Sequence, residues 1–291
     1  MVYIGRFAPS PTGPLHFGSL LAALASYLDA RAHHGRWLVR IEDLDTPRVI
    51  QGATDDILRT LEDYGLEWDD AVIRQSDRLH LYHEALTQLR QRHQAYPCDC
   101  SRQQIRQRTG SSRYDGHCRR HPPNPQHVCA IRSHNPQDYP FDDQIQGPQS
   151  FPAQIEDFVI FRRDGFFAYQ LAVTIDDAEQ QINHIVRGSD LLDSTPKQRH
   201  LQQQLGYPRP IYAHIPVATN TQGQKLSKQT LAPALDRHHA RQQIIRALQF
   251  LGQQPVTELH DCRLDECLRW AIEHWNISAI PKQIGLILED N

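Results

Sequence analysis

No run of apolar residues in this 291-residue chain approaches the roughly 20 that a helix needs to cross a bilayer. The longest, Leu20 to Leu28, falls well short. Met1-Val2-Tyr3-Ile4 passes straight into a glycine- and proline-rich motif, which leaves no room for a secretory leader. Internal repeats and extended low-complexity stretches are missing as well, so solenoids and propellers are excluded. Net charge is small, at −3, and does not announce a polyanionic partner. These absences, with 39% hydrophobic and 22% charged residues, describe a soluble globular protein of one large or two modest domains, expected in the cytoplasm. In that compartment six cysteines read as thiols or metal ligands, not as a disulfide framework.

The charge that is present is unevenly spread. Glu42 to Asp70 holds ten acidic residues and two arginines, whereas Arg90 to Arg132 holds nine arginines and two aspartates, a candidate basic patch. The N-terminus is more specific. Val2 to Ala8 reads as a strand, Pro9, Pro11 and Gly13 break it, and Leu20, Leu21, Leu24, Tyr27 and Leu28 recur at helical spacing. Ser19 or Thr12 is the expected cap. A helix N-terminus at the carboxyl end of a strand carries about half a positive charge and suits a triphosphate. There His16 can donate to a phosphate oxygen, and Gly18 admits a base or ribose at close range.

Gly35 ends the helix, and Arg36 to Ile41 forms a second strand in a parallel crossover. Ligands of open α/β sheets gather at the carboxyl ends of strands, so Glu42 is placed to hold a substrate ammonium, while Asp43 and Asp45 read equally well as a loop surface. Helical stripes follow at Ile57, Leu58, Leu61 and Tyr64 and at Leu79, Tyr82, Leu86 and Leu89, with Gly65 between them. From Tyr96 the chain becomes basic and proline-rich. Cys98, Cys100 and Cys118 suggest a zinc-stapled module, for which spacing alone offers His117 or His121 as fourth ligand. Phe158 to Arg163 and Phe166 to Val173 flank Asp164-Gly165 like the arms of a hairpin. Ile182 to Arg187 is another strand, with Arg187 at its carboxyl end able to grip a carboxylate by two bonds. Ile211 to Ala218 reads as a buried strand, and Gly223 to Gln229 as a lysine-bearing loop able to close on phosphates. In the tail, Leu264, Cys267, Leu268, Ala271, Ile272 and Trp275 follow a 3.6-residue period, so Cys267 belongs to the core.

Taken together, Pro14-Leu15-His16-Phe17-Gly18-Ser19 and Lys225-Leu226-Ser227-Lys228-Gln229 resemble the HIGH and KMSKS signatures of class I aminoacyl-tRNA synthetases. Gly5 to Gly13, Arg40-Ile41-Glu42-Asp43, Phe167 to Ala172 and Val186 to Leu192 are similar to the glutamyl branch. Ser19 replaces the second histidine, as is normal there, and Gln229 departs mildly at the last loop position. Only about sixty residues follow the lysine loop. With Cys98, Cys100, Tyr114 and Cys118, that brevity resembles the truncated glutamyl-queuosine tRNA(Asp) synthetase family.

The resemblance implies an α/β, Rossmann-like parallel-sheet catalytic domain (residues 1–97 and 181–235) split by a zinc-containing α+β insertion (98–180). A short helical C-terminal region (236–291) and no anticodon-binding domain complete the expectation. It implies that Arg6, Phe7, Ala8, Pro9, Ser10, Glu42, Tyr169 and Arg187 bind L-glutamate, and that His16, Gly18, Ser19, Lys225, Ser227 and Lys228 bind ATP. His16 and Lys228 take the catalytic roles, and Tyr114 replaces a histidine as fourth ligand of a structural zinc, with Cys129 outside the site. Mg²⁺ accompanies ATP, and tRNA(Asp) bearing queuosine is expected to receive glutamate from a monomeric enzyme that uses no tRNA in the activation step. Two arginines against an amide would leave cationic donors poorly paired, discriminating glutamate from glutamine by up to ~10⁴-fold. Two other readings are a tRNA(Glu) synthetase relying on a separate anticodon-binding subunit, and a non-catalytic paralogue that binds RNA or glutamate.

Overall fold

The computed structural model describes residues 2–225 and 233–288. Strand β1 (Ile4–Phe7), helix α1 (Phe17–Ala32) and strand β2 (Arg36–Ile41) make the expected parallel crossover, with Ile4 opposite Arg36 and Phe7 opposite Val39. After α2 (Ala53–Asp63), a short β3 (Ile73–Arg74) joins the far side of β2. Gly65, at φ +66°, lies just beyond the end of α2, in a left-handed conformation that glycine adopts without strain.

Helix α3 (Leu79–Gln91) leads out of this half into β4 (Ala95–Cys98), α4 (Arg102–Thr109), α5 (His117–Arg120) and β5 (Ala130–Ser133). The hairpin β6 (Phe141–Asp143) and β7 (Gly147–Gln149) precedes β8 (Phe158–Phe161). Strands β4, β5 and β8 form an antiparallel sheet. Next come α6 (Tyr169–Glu179), β9 (His184–Gly188), α7 (Thr195–Leu205) and β10 (Ile211–Ile215). Strands β9 and β10 run parallel in full register, and β6 adds to the other edge of β10. The hairpin therefore leaves the insertion and pairs with the main sheet.

The predicted strand over Phe166 to Val173 is instead mostly helix. Gly165 does turn the chain at φ +89°, but only Phe167 bridges back to Phe161 before α6 begins. Leu171, Ala172 and Ile175 bury one helical side, and the adjacent Asp176 and Asp177 bury another against arginines. A strand would send those neighbouring aspartates to opposite faces. The predicted strand Ile211 to Ala218 is divided at Pro216, which lacks a ladder N–H. Its second piece, β11 (Val217–Thr219), pairs with β12 (Gly285–Ile287) at the far end of the described chain.

The two parallel units meet where β1 faces β9. Asn183 joins them: its N–H donates to Ile4 O (3.1 Å), Oδ1 accepts from Ile4 N (2.8 Å), and Nδ2 donates to Val2 O (2.7 Å). Helix α1 is buried around much of its circumference, with Leu20, Leu21, Leu24 and Leu28 at 1% exposure or less. Helices α8 (Ala240–Phe250) and α9 (Leu264–Glu273) close over it, burying Ile244, Leu248, Cys267 and Leu268 in the same core. Thus the tail shares the catalytic half's core, and Trp275 Nε1 donates to Asp29 of α1 at 2.9 Å. A second core, containing Tyr82, Leu89, Phe158, Ile160, Leu171 and Leu201, joins the insertion to α6 and α7. At its margin buried His200 bonds Ser133 Oγ and Tyr139 OH, each at 2.9 Å. Among the described residues no helix is long and apolar enough to cross a membrane.

Candidate active site

The carboxyl ends of β1 and β9 lie side by side because the parallel units meet there, and above them opens a cleft of about 770 Å³. Its walls include Arg6 to Ser10, His16, Gly18, Ser19, Glu42, Tyr169, Arg187 and Lys225, residues the sequence reading assigns to glutamate and ATP. Ser227 and Lys228 lie outside the described residues.

Loop geometry sets the approach to α1. His16, in extended conformation, is the N-cap, and its Nδ1 accepts from Ser19 N at 3.3 Å. Ser19 and Thr12 are not the cap: Ser19 sits inside the first turn, and Thr12 lies four residues upstream of His16, its N–H donating to Ser10 O. Because Nδ1 accepts, the neutral imidazole carries its proton on Nε2. The loop is tied to β2 by Glu42 N donating to Pro9 O at 3.0 Å. Asp43 accepts from Ser76 N and Oγ, at 2.8 and 2.7 Å, and so staples a loop.

Beneath the floor runs a buried chain of charge that sequence reasoning missed. Arg40, with no exposed side-chain surface, donates to Asp177 (2.8 Å), Glu42 (3.3 Å) and Gln180 (2.8 Å). Asp177 also accepts from Arg6 through Nε (3.2 Å) and Nη2 (3.5 Å). Asp176 accepts from Gln75 (2.7 Å), Arg78 (2.7 Å) and Tyr82 (2.8 Å). Burial would raise the Asp177 carboxyl, but Arg6 and Arg40 outweigh it and hold it below the ordinary range. Burial raises Glu42, against the pull of Arg40 and Arg6. The Tyr169 phenol is also raised by burial, against the opposing charge of Arg187. The available signals were an arginine inside a strand of apolar residues and two adjacent aspartates on a helix.

Arg187 is held differently. Its Nε donates to His214 Nε2 (3.0 Å), and Nη2 donates to Thr195 Oγ1 (2.8 Å) and Leu191 O (3.4 Å). Buried Nη1 meets no hydrogen-bond partner among the described residues. The side edge of the guanidinium is therefore already used, which leaves Nη1, not a two-pronged fork, for a ligand. His214 bonds Asp143 Oδ2 through Nδ1 at 2.6 Å, and its backbone N–H donates to Asp143 Oδ1 at 3.1 Å. Burial lowers the His214 imidazole to about 4. Neutral, it donates from Nδ1 to Asp143 and accepts at Nε2 from Arg187. At the cleft's edge Lys225 pairs with Asp190 at 2.6 Å.

The insertion holds a separate constellation. The sulfurs of Cys98, Cys100 and Cys118 lie within 4.8 Å of one another, and could hold a metal ion. Cys100 and Cys118 are 3.3 Å apart, against the roughly 3.8 Å that bonds of 2.3 Å to a tetrahedral zinc would set. Tyr114 OH is 3.6 Å from Cys98 Sγ, whereas His117 and His121 stack on each other outside the sulfur group. Arg132 donates to Cys98 Sγ (3.2 Å), and Arg108 donates to Cys100 Sγ (3.3 Å). Burial would raise the Cys98 thiol, but bonds from Tyr114 and Arg132 hold it below the ordinary value. Cationic donors on two thiols are what an anionic ligand set requires.

Residues 3–275 match the family model for the catalytic domain of class I tRNA synthetases (E and Q). The chain is 52% identical over 283 residues to a glutamyl-Q tRNA(Asp) synthetase of Ectopseudomonas mendocina, covering 96% of this chain and 95% of that protein. To the protein of that name from Aromatoleum aromaticum it is 50% identical over 290 residues, covering 97% and 91%. Among solved structures, a glutamate tRNA ligase from Elizabethkingia meningosepticum in complex with its amino acid superposes with a TM-score of 0.83 at 26% identity. That match covers 99% of this chain and 67% of the other.

Proposed function

The chain belongs to the glutamyl-Q tRNA(Asp) synthetase family of class I synthetase catalytic domains, and from that membership we propose that it activates L-glutamate with ATP, without tRNA, and transfers it to queuosine in the anticodon of tRNA(Asp). The observation that carries the reading is the meeting of two kinds of group in one cleft: Arg6, Glu42, Tyr169 and Arg187 beside the His16-capped start of α1.

The two arginines suit carboxylate, and Glu42 suits the ammonium. An α-carboxylate oxygen attacks the α-phosphorus of MgATP, the bond to the bridging oxygen breaks, and pyrophosphate leaves; glutamyl-adenylate is the product. In the second step a hydroxyl of the queuosine ring attacks the acyl carbon, loses its proton and expels AMP. No protein nucleophile is needed. The protein aligns the reactants and supplies donors, His16 Nε2–H and the first-turn amides of α1, to the crowded phosphoryl oxygens. Lys225, Ser227 and Lys228 are assigned to the phosphates. Zinc would be held by Cys98, Cys100, Cys118 and Tyr114, where four protein ligands leave no open position and the ion serves as a structural staple. The protein acts in the cytoplasm as a monomer.

The test is ATP–pyrophosphate exchange that depends on glutamate and proceeds without tRNA, followed by labelling of tRNA(Asp) with and without queuosine. Exchange without tRNA and label only on the queuosine-bearing form are expected. Failure of exchange refutes the first step, and label at the 3′ end of tRNA(Glu) refutes the acceptor.

A further inference from the structure

Two buried arginines, Arg6 and Arg187, line the cleft, and they are neutralised unequally. Arg6 is in direct ionic contact with Asp177. Arg187, only 4% exposed, has no carboxylate partner among the described residues; its acceptors are an imidazole, a hydroxyl and a carbonyl. The nearest countercharge in this chain of bonds is Asp143, and His214 stands between them. Interposing a ring roughly doubles the separation of the charges, and Coulomb attraction falls in proportion. A carboxylate directly against Arg187 would satisfy the guanidinium and remove its pull on a ligand.

We infer that Asp143 and His214 are positioning residues for Arg187: they fix its side edge through a neutral acceptor while leaving its charge uncompensated, so that Nη1 is held ready for a substrate carboxylate. The inference rests on the glutamate-activating function proposed above. Asp143 selects the tautomer. Its Oδ1 is engaged by the His214 backbone N–H and its Oδ2 by Nδ1–H, so Nε2 can only accept. Asp143 belongs to β6, the hairpin strand paired with β10, and Tyr212 of β10 is the residue opposite it in the ladder. The long excursion between the two halves of the sheet thus supplies a residue that acts on the amino-acid pocket from behind.

An asparagine at 143 can turn its amide toward His214 and demand the other tautomer, which presents N–H to N–H at Arg187. Asp143→Asn is therefore expected to raise KM for glutamate by about tenfold to a hundredfold, the range for losing a hydrogen bond to a charged group. KM for ATP should stay within about twofold, since binding at the α1 side is untouched. His214→Gln keeps one acceptor and one donor and should lie nearer the wild type than His214→Leu, which keeps neither. The preference for glutamate over glutamine should fall in the same order. Glutamate-dependent exchange is measured for all four proteins beside their thermal midpoints. Lower midpoints with unchanged glutamate KM in Asp143→Asn and His214→Gln would reduce the pair to a structural role and overturn the inference alone. Equal KM changes for glutamate and ATP would do the same. Absence of exchange in the wild-type protein would overturn the proposed function and this inference with it.

Discussion

Mild acid should destabilise this protein, because two fully buried histidines are held neutral. His200 and His214 are each lowered from 6.5 to about 4, burial being the largest cause for both. In the unfolded chain each takes up a proton as pH falls through about 6.5, whereas in the folded chain each resists until about 4. The unfolded state therefore binds more protons across that window, and stability rises with pH. It is fully present above about pH 6.5 and is lost on the way down to about 4. Withholding two protons across that window costs the folded state several kcal/mol. Near pH 5 the slope approaches that of two protons taken up on unfolding. Against a total of about 5–15 kcal/mol, that loss is a large fraction of the stability and should lower the denaturant midpoint steadily as pH falls. His184 is lowered too and acts in the same sense. Asp143, Asp157 and Asp177 are held below the usual carboxylate value, so their stabilising effect is lost only at lower pH. Urea midpoints between pH 5 and 7.5 would measure the slope. His200→Gln, which can still bond Ser133 and Tyr139, should reduce it from about two protons to about one. A midpoint independent of pH over this range, or an undiminished slope in His200→Gln, would refute the argument.

Two further outcomes are expected. His16→Ala removes both the cap of α1 and the Nε2–H donor, so it should lose about 1 kcal/mol of stability and about a hundredfold in the exchange rate constant; His16→Asn should recover the stability alone. An undiminished rate in His16→Ala would exclude His16 from the chemistry. Purified protein should contain one zinc per chain, and chelation should open α4 and the loop after it to trypsin at Arg102, Arg106 and Arg113. Metal-free protein with intact thiols and unchanged protease resistance would count against the site.

What was legible in the sequence was local. The strand at 36–41 matched in full, because a run between Gly35 and an acidic loop has few alternatives, and the helical stripes around Ile57, Leu79 and Leu264 fell on α2, α3 and α9. The residues lining the cleft were gathered by motif from stretches scattered between Arg6 and Lys225. What failed was set by partners far along the chain. Tyr169 to Val173, expected to end a strand, instead opens the helix Tyr169–Glu179, whose Asp176 and Asp177 reach arginines on other elements. Asp143 and His214 carry no local pattern. One aspartate of an adjacent pair in a proline- and glutamine-rich stretch gives no hint that it lies behind Arg187.

The bond between Arg6 and Asp177 spans 171 residues. On the ribosome, the first strand and its arginine emerge long before the carboxylate that makes burial of that arginine tolerable. Arg40 has Glu42 at hand two residues on, but its other carboxylates, Asp176 and Asp177, follow by well over a hundred residues. Until α6 has been synthesised, the cleft's first wall has to keep two guanidiniums hydrated, so β1 and β2 cannot settle into their final packing as an early unit. The amino-acid pocket is accordingly a late product of synthesis, closed only when the second half of the sheet arrives. A chain interrupted in the insertion holds an open, cationic half-sheet and no site at all.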